Sequence, residues 1–226
     1  MTQPQRHAAT PAARLNRITE DAMCIGCGLC QSVAGPETVR MELVETGYER
    51  PVVRGELTHE TVDRILDVCP GTRVEGLPEA ELDEATRHDL IWGAYRQMAL
   101  AHAADPEVRH AGSTGGVLTA LGLFLIETGE VDFILHAKAS GRVPTFGERA
   151  VSGTAADVLA GAGSRYGPTA PLIDVLEQLD KGRPFAFVGK PCDIAALRNL
   201  ARVDVRVNEL VKYMLTPVWG GFMPPQ

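Results

Sequence analysis

The stretch RPFAFVGKPCDIAALRNLA, residues 183–201, predicts a buried strand that turns directly into a helix. Its first part is a short apolar run typical of a core strand, and Asp193 stands near the start of the helix that follows. VDFILHAKA, residues 131–139, predicts a second buried strand, and an apolar helix precedes it from Val117. This alternation of strands and helices predicts an α/β fold, with an α+β character overall.

Shorter signals predict the remaining elements. Thr46-Gly47 divides residues 38–53 into two short strands and predicts a hairpin. A helix is predicted to begin after Thr58 and to end at Cys69, and Thr154 is predicted to cap a helix that ends at Ala160. Further predictions are strands at residues 95–103, 148–153 and 210–220, and an amphipathic helix over residues 172–179.

Four of the five cysteines are spaced for one [4Fe–4S] cluster. Cys24, Cys27 and Cys30 form the segment CIGCGLC, and the fourth, Cys69, is followed by Pro70. This pattern is typical of bacterial-type ferredoxins, and the remote position of the fourth ligand predicts one cluster rather than two. Structural zinc sites more often use C-x2-C pairs, so zinc is the alternative, followed by thiols without a ligand.

Composition excludes several classes of protein. The 226 residues carry a net charge of −7 and no basic tract, so nucleic-acid binding is not expected. The longest apolar stretch, residues 115–126, is too short to cross a bilayer. No secretory signal opens the sequence, and thiols stay reduced in the cytosol, so we expect a cytoplasmic protein.

Two loops before helices are candidate ligand sites. Residues 112–116, GSTGG, precede an apolar helix, and free backbone amides at a helix N-terminus favour a phosphate. The alternative is a flexible turn with a helix cap. In residues 189–193, GKPCD, Cys192 follows a strand end, where ligands collect in α/β sheets. The alternative for Cys192 is a small buried residue.

Two basic side chains are further candidates. Arg165, in the loop GSRYGP, suits a phosphate or a carboxylate, although a surface arginine is the alternative. Lys138 stands at a predicted strand end and is a candidate cofactor contact. The histidines share no spacing that indicates a metal site, and the sequence identifies no catalytic residue.

The order of these motifs resembles one family. A C-x2-C-x2-C and C-P module, then STGG before an apolar helix, then GSRYGP and GKPCDIAALRNL, is similar to the coenzyme F420 hydrogenase and dehydrogenase beta subunit. That family includes 7-hydroxymethyl chlorophyll a reductase-like proteins. The resemblance implies FAD, one [4Fe–4S] cluster held by the four cysteines, and flavin contacts from Ser113, Thr114, Gly115, Gly116 and Thr119, with Lys190, Pro191 and Cys192 nearby.

The resemblance also implies a function. The expected protein is an iron–sulfur flavoprotein oxidoreductase that passes electrons between a ferredoxin-type or deazaflavin partner and an organic substrate, a deazaflavin or a tetrapyrrole. The expected partners are ferredoxin or another redox subunit, in a possible hetero-oligomer. The alternative is a ferredoxin-like electron-transfer module without catalysis of its own, because family members are longer and this chain is expected to be truncated at its C-terminus.

The expected organisation has five parts. They are a disordered tail (residues 1–17), a ferredoxin-like [4Fe–4S] domain (18–77), a linker helix (78–94), the family's N-terminal α/β domain (95–183) and the start of its C-terminal domain (184–226).

Overall fold

The first part of the fold, here called the N-terminal unit (residues 11–75), packs three helices around a hairpin. The computed structural model describes residues 9–143, 145–218 and residue 221. The elements of the unit are α1 (Pro11–Glu20), α2 (Leu29–Ala34), β1 (Val39–Leu43), β2 (Glu49–Val53) and α3 (His59–Val68). β1 and β2 pair antiparallel, which confirms the predicted hairpin. The Thr58 side chain accepts a hydrogen bond from the Thr61 N–H and so caps α3 as predicted.

The predicted disordered tail is wrong from residue 11 onward. Pro11 opens α1, the Thr10 hydroxyl accepts the Ala13 N–H, and Leu15 and Ile18 are buried on the inner face of the helix. Proline suits the first helical turn, where its missing N–H has no partner to lose. Burial of these two side chains in the core of the N-terminal unit stabilises α1, while residues 1–8 lie outside the described residues.

The predicted linker helix over residues 78–94 is also wrong. The chain instead forms a 3-10 turn, Glu79–Glu81, and a small hairpin of β3 (Arg87–Asp89) and β4 (Gly93–Tyr95). The Asp89 carboxylate accepts the backbone N–H groups of Ile91 and Trp92, which favours a turn over a helix. Of the strand predicted over residues 95–103, only Tyr95 lies in a strand. Residues 96–103 form no strand.

The rest of the described chain forms an α/β layer structure. Its elements are α4 (Pro106–Ala111), a 3-10 turn (Thr114–Gly116), α5 (Val117–Glu127), β5 (Phe133–Ala139), β6 (Gly147–Ser152), α6 (Ala155–Ala160), α7 (Val175–Asp180), β7 (Phe185–Val188), α8 (Pro191–Ala201), α9 (Val205–Leu210) and β8 (Val211–Leu215). The strands form a sheet in the order β6-β5-β7-β8, in which β6 is antiparallel and the others are parallel. These bounds confirm the strands predicted around β5, β6 and β7 and the helix capped by Thr154. The strand predicted over residues 210–220 is confirmed only over Val211–Leu215: residues 216–218 are not in a strand, and Trp219 and Gly220 lie outside the described residues.

Alternating side chains of the central strands bury both faces of this sheet. Phe133 and Phe185 stack with ring centroids 4.9 Å apart on the face that α7, α8 and α9 cover. Ile134 and Ala186 point to the opposite face, where they pack with Leu125 of α5. A strand buried on both faces needs an apolar run rather than strict alternation, which is what the sequence of β7 provides.

One hydrophobic core continues from the sheet into the N-terminal unit. Cys27, Leu29 and Val68 are buried in the same cluster as the phenylalanines of β5 and β7. β7 pairs with β5, so the expected N-terminal α/β domain (residues 95–183) and the residues that follow it share one sheet. Within the described ranges, no helix is long and apolar enough to cross a bilayer.

Asn199 of α8 ties the sheet layer to the end of α3. Its buried side-chain amide donates to the carbonyl oxygen of Arg73 at 2.8 Å and lies 3.4 Å from that of Val68, the residue before Cys69. Asn199→Ala removes these hydrogen bonds and leaves a buried carbonyl without a donor, so we expect a loss of about 2 kcal/mol in the free energy of unfolding.

The exposed Asn208, whose amide donates to the Ala201 carbonyl, is the matched control. Asn208→Ala should cost less than about 0.5 kcal/mol in the same anaerobic urea titration, as is usual for a surface substitution. Equal losses in the two variants would contradict a joining role for Asn199.

Candidate functional site

Four cysteines line one small apolar cavity, here called the cysteine cavity. It encloses about 30 Å³ and includes Cys24, Cys27, Cys30 and Cys69 among its walls. The remaining walls are backbone of the CIGCGLC loop and apolar side chains, among them Leu15, Met41, Ile65 and Val68. Cys69 lies at the C-terminal end of α3. Cys24 and Cys27 lie in the loop between α1 and α2, and Cys30 lies in the first turn of α2. None of the five cysteines forms a disulfide bond.

Glycine at position 28 is required by the backbone of this loop. Gly28 has φ +86°, in the left-handed region, and is the N-cap residue of α2. A Cβ atom at this position would lie 2.5 Å from Cγ2 of Ile173 and 3.1 Å from its backbone nitrogen. The loop can therefore turn its cysteines inward only because this position has no side chain.

The cysteine cavity disfavours bare thiolates. Burial raises the pKa of the Cys30 thiol to about 12, and the neighbouring Cys24 and Cys69 add to the shift. Burial also raises the pKa values of Cys27 and Cys69. Each shift includes an effect of another thiol in the set, so the cysteines lie within electrostatic reach of one another. Iron cations would supply the opposite charge that thiolates in this cavity lack.

The four thiols line one cavity, but they are not arranged to hold a single metal ion. Among the residues that the structure describes, no group of three or more His, Cys, Asp or Glu side chains is arranged to hold a metal ion. The evidence for a common site is therefore the shared cavity and the mutual effect of the thiols on their pKa values. A four-thiolate set in an apolar pocket under a glycine-rich loop fits the donor requirements of an iron–sulfur cluster.

A second, larger cavity opens at the carboxyl ends of the parallel strands β7 and β8. It encloses about 410 Å³, within the range of small-molecule sites. The crevice beyond the carboxyl ends of strands is where open α/β sheets bind ligands. Of the residues expected to contact a flavin, Ser113, Thr114, Thr119, Arg165 and Lys190 line this cavity.

The other expected contacts lie outside the lining of this second cavity. Gly115 and Gly116 have positive φ and shape the turn before α5, where Gly116 packs on the backbone of Val108 and Arg109. Lys138 instead pairs with Glu148 across the β5–β6 hairpin, with 3.5 Å between Nζ and Oε1. Pro191 and Cys192 form the first turn of α8 beside the cavity, and burial raises the pKa of the Cys192 thiol.

A hydrogen bond joins the two candidate loops that line the second cavity. The Ser164 N–H donates to the Ser113 hydroxyl at 2.8 Å, which joins GSRYGP to STGG. Arg165 next to it is exposed, and its guanidinium donates to the Ser164 carbonyl. Both loops were candidate ligand sites from the sequence, which gave no indication that they are in contact.

His136 is a lining residue that sequence reasoning did not assign to any site. Its buried ring lies 2.7 Å from the Ser152 hydroxyl through Nε2 and 3.1 Å from the Ala137 carbonyl through Nδ1. The carbonyl can only accept, so Nδ1 carries the proton and Nε2 accepts from the serine. Burial lowers the pKa of His136, which keeps the ring neutral at pH 7.

Lys190 and Asp193 form an ion pair in the wall of the second cavity. Lys190 donates to Asp193 Oδ2 at 2.7 Å through its ammonium and at 3.0 Å through its backbone N–H. Asp193 is 1% exposed, lines the second cavity, and raises the pKa of Cys27 in the cysteine cavity. Lys190 also lowers the pKa of Glu49, against a larger upward effect of burial. The sequence placed Asp193 near the start of a helix but gave no indication of its ion pair with Lys190.

A short segment connects the walls of the two cavities. Thr169 and Pro171 line the second cavity, while the Leu172 N–H donates to the Cys27 carbonyl at 2.9 Å. Ala170 and Ile173 lie against Gly28 of the cysteine loop. The two candidate sites are therefore neighbours joined by one backbone hydrogen bond.

Part of this chain is similar to known proteins. Residues 98–177 match the family model described as coenzyme F420 hydrogenase/dehydrogenase, beta subunit N-term. The F420-dependent formate dehydrogenase 1 subunit beta of Methanococcus maripaludis is 29% identical over 135 residues, which cover 58% of this chain and 33% of that protein.

A solved structure is similar as well. It is a chain of the F420-reducing [NiFe] hydrogenase complex from Methanosarcina barkeri, with 26% identity and a TM-score of 0.45 over 50% of this chain and 40% of that chain. The chain thus aligns with about a third of the length of the curated relative.

Proposed function

We propose that this chain, whose residues 98–177 match the coenzyme F420 hydrogenase/dehydrogenase beta subunit family model, is a member of that family and carries electrons between a redox partner and an organic substrate. In this proposal the four cysteines hold one [4Fe–4S] cluster and the second cavity holds FAD. The partner is a ferredoxin-type protein or a deazaflavin carrier, and the chain works within a hetero-oligomeric oxidoreductase. An iron–sulfur cluster supplies one-electron transfer, and a flavin supplies a carrier that accepts one or two electrons.

The single observation that carries the proposal is the adjacency of the two cavities. The Leu172 N–H···O=C Cys27 hydrogen bond links a cysteine of the first cavity to the segment that lines the second. A redox protein with two cofactors needs them close together in a rigid frame. The shared hydrophobic core around Cys27, Leu172 and Phe187 supplies that frame.

The residues of the second cavity suit a phosphate-bearing cofactor. Lys190 and Arg165 contribute positive charge, and Ser113, Thr114 and Thr119 contribute hydroxyl groups. Ile134, Leu118 and Val188 provide apolar surface for a planar ring. Few polar groups on a mostly apolar wall are typical of cofactor sites.

Anaerobic purification tests the proposal directly. Iron, acid-labile sulfide and FAD in the same protein support it. Iron and sulfide without flavin, after FAD has been offered, would leave only a ferredoxin-like electron-transfer module. Zinc as the bound metal would overturn both redox functions.

The contact between the two loops of the second cavity gives a more specific prediction. Ser113→Ala removes the acceptor of the Ser164 N–H and one hydroxyl from the cavity wall. We expect the dissociation constant for FAD, measured by flavin fluorescence, to rise about tenfold, the equivalent of one lost hydrogen bond of about 1.4 kcal/mol.

Ser140 provides the matched control for this substitution. Its hydroxyl accepts the N–H groups of Arg142 and Val143 in a turn that does not line the cavity. Ser140→Ala should leave FAD affinity within about twofold of wild type. An unchanged affinity in Ser113→Ala would show that this loop contact does not shape a flavin site.

A further inference from the structure

We propose that Met41 is the solvent barrier of the cluster site: its side chain keeps water out of the cysteine cavity and so holds the reduction potential of the cluster low. The inference rests on the proposed function for the presence of the cluster. Met41 belongs to the hairpin that lies between the CIGCGLC loop and Cys69 in the chain, to which neither the cysteine pattern nor the flavin motifs assign a role.

Met41 is in direct contact with the proposed cluster ligands. Its Sδ lies 3.9 Å from Sγ of Cys30, and its side chain is one of the walls of the cysteine cavity. The backbone N–H of Met41 donates to Oε1 of Gln31 at 2.7 Å, and Gln31 follows Cys30 in α2. This hydrogen bond ties β1 to the helix that carries Cys30, so the thioether has a defined position beside the thiol.

The neighbouring strand completes the same wall. Pro51 of β2 stands opposite Met41 in the antiparallel register, is buried, and also lines the cysteine cavity. Side chains of residues that stand opposite each other in a hairpin lie on the same face of it. The hairpin therefore places two apolar side chains together against the thiols.

Met41 stands where this face of the hairpin passes from the core to solvent. Val39, Met41 and Leu43 alternate along β1 and therefore share one face. Val39 is fully buried, Met41 is partly buried, and Leu43 is 52% exposed. A shorter side chain at position 41 would therefore open the cavity to water at this point rather than leave a closed void.

Water near the cluster changes the free energy of an added electron. Reduction by a ferredoxin-class donor adds one negative charge to the cluster, and no bond is made or broken. Water stabilises that charge better than an apolar wall does, because water has a far higher dielectric constant. Solvent exposure of a cluster and the apolar shell around it help to set its potential. Loss of the Met41 side chain should therefore make the cluster easier to reduce.

The experiment is an EPR-monitored redox titration of the loaded wild-type protein and Met41→Ser. We expect the equilibrium constant for one-electron reduction to increase about tenfold, equivalent to a rise of about 59 mV in the potential. In deuterated water, the deuterium modulation of the pulsed-EPR signal of the reduced cluster should also increase, because water reaches the thiolates. A change of less than about twofold in the equilibrium constant, or an unchanged deuterium signal, would overturn the inference.

Met41→Leu separates shielding from a role of the sulfur atom. Leucine is apolar and similar in volume to methionine, so the equilibrium constant should stay within about twofold of wild type. A rise in Met41→Leu as large as in Met41→Ser would overturn the barrier role. If Met41→Ser does not fold or does not load with iron and sulfide, Met41→Ala shortens the side chain without adding a polar group, and the same rise is expected.

Met23→Ser is the matched control. Met23 precedes Cys24 in the chain, is 52% exposed and lies outside the walls of the cysteine cavity. Met23→Ser should leave the potential and the deuterium signal unchanged, and an equal rise in both variants would overturn a specific role for Met41. A loaded wild type with unmoved potentials in the Met41 variants overturns this inference alone, whereas a wild type that binds no iron and sulfide overturns the proposed function with it.

Discussion

Cys69→Ala should leave the anaerobically purified protein with less than about a tenth of the wild-type iron and sulfide, because a cubane corner loses its thiolate. Cys69 lies at the C-terminal end of α3 and is the one lining thiol outside the CIGCGLC loop. No other described cysteine can take its place, since Cys192 does not line the cysteine cavity. Iron and sulfide analysis together with the visible absorption of the cluster measures the effect.

Cys192→Ala is the control for this prediction. Cys192 is partly buried in the first turn of α8 and its thiol lies outside the cysteine cavity. We expect this variant to keep the full iron and sulfide content. Loss of the cluster in Cys192→Ala, or its retention in Cys69→Ala, would show that the four ligands are wrongly assigned.

The elements that the sequence predicted well have strong local signals. Thr58 and Thr154 cap their helices through side-chain oxygens, and Gly47 supplies the positive φ of the hairpin turn. Such signals act within a few residues, so they can be recognised without knowing the fold. The apolar runs of β5 and β7 are similarly local, because a strand covered on both faces must be apolar throughout.

The helix wrongly predicted at residues 78–94 and the helix missed at α1 are decided by tertiary packing rather than by local signals. Residues 78–89 are rich in helix-forming Glu and Ala, but they offer no apolar face to bury, and no tertiary packing stabilises a helix there. α1 shows the converse: Leu15 and Ile18 form a helix because Val62 and Ile65 of α3 cover them. Helix propensity alone does not predict whether a helix forms when burial of an apolar face is what stabilises it.

Within the candidate sites, too, local patterns could be predicted from the sequence and long-range contacts could not. The cysteine spacing predicted which thiols share a cavity, because the ligands of one cluster impose a pattern on the chain. The hydrogen bonds from Leu172 to Cys27 and from Asn199 to Arg73 join segments that are far apart in sequence. Contacts of this kind depend on how α8 packs against the N-terminal unit, and no spacing rule encodes them.

If the second cavity holds a flavin as proposed, Thr119→Trp should remove it while leaving the proposed cluster in place. Thr119 lines the second cavity from α5, and an indole projecting from this position would occupy space that the cofactor needs. We expect the flavin content to fall below about a tenth of wild type, because a small-to-large change in a site closes it to its ligand. The iron and sulfide content should be unchanged, since the cysteine cavity has a separate set of walls.

Leu121→Trp adds the same ring to the same helix outside the second cavity, at a side chain that is 40% exposed. This control should retain both flavin and iron, which separates closure of the cavity from any general effect of tryptophan on α5. If Thr119→Trp binds flavin as tightly as wild type, the flavin site lies elsewhere. If it loses iron as well, the two cavities are not independent sites, and the division of labour between cluster and flavin would have to be reconsidered.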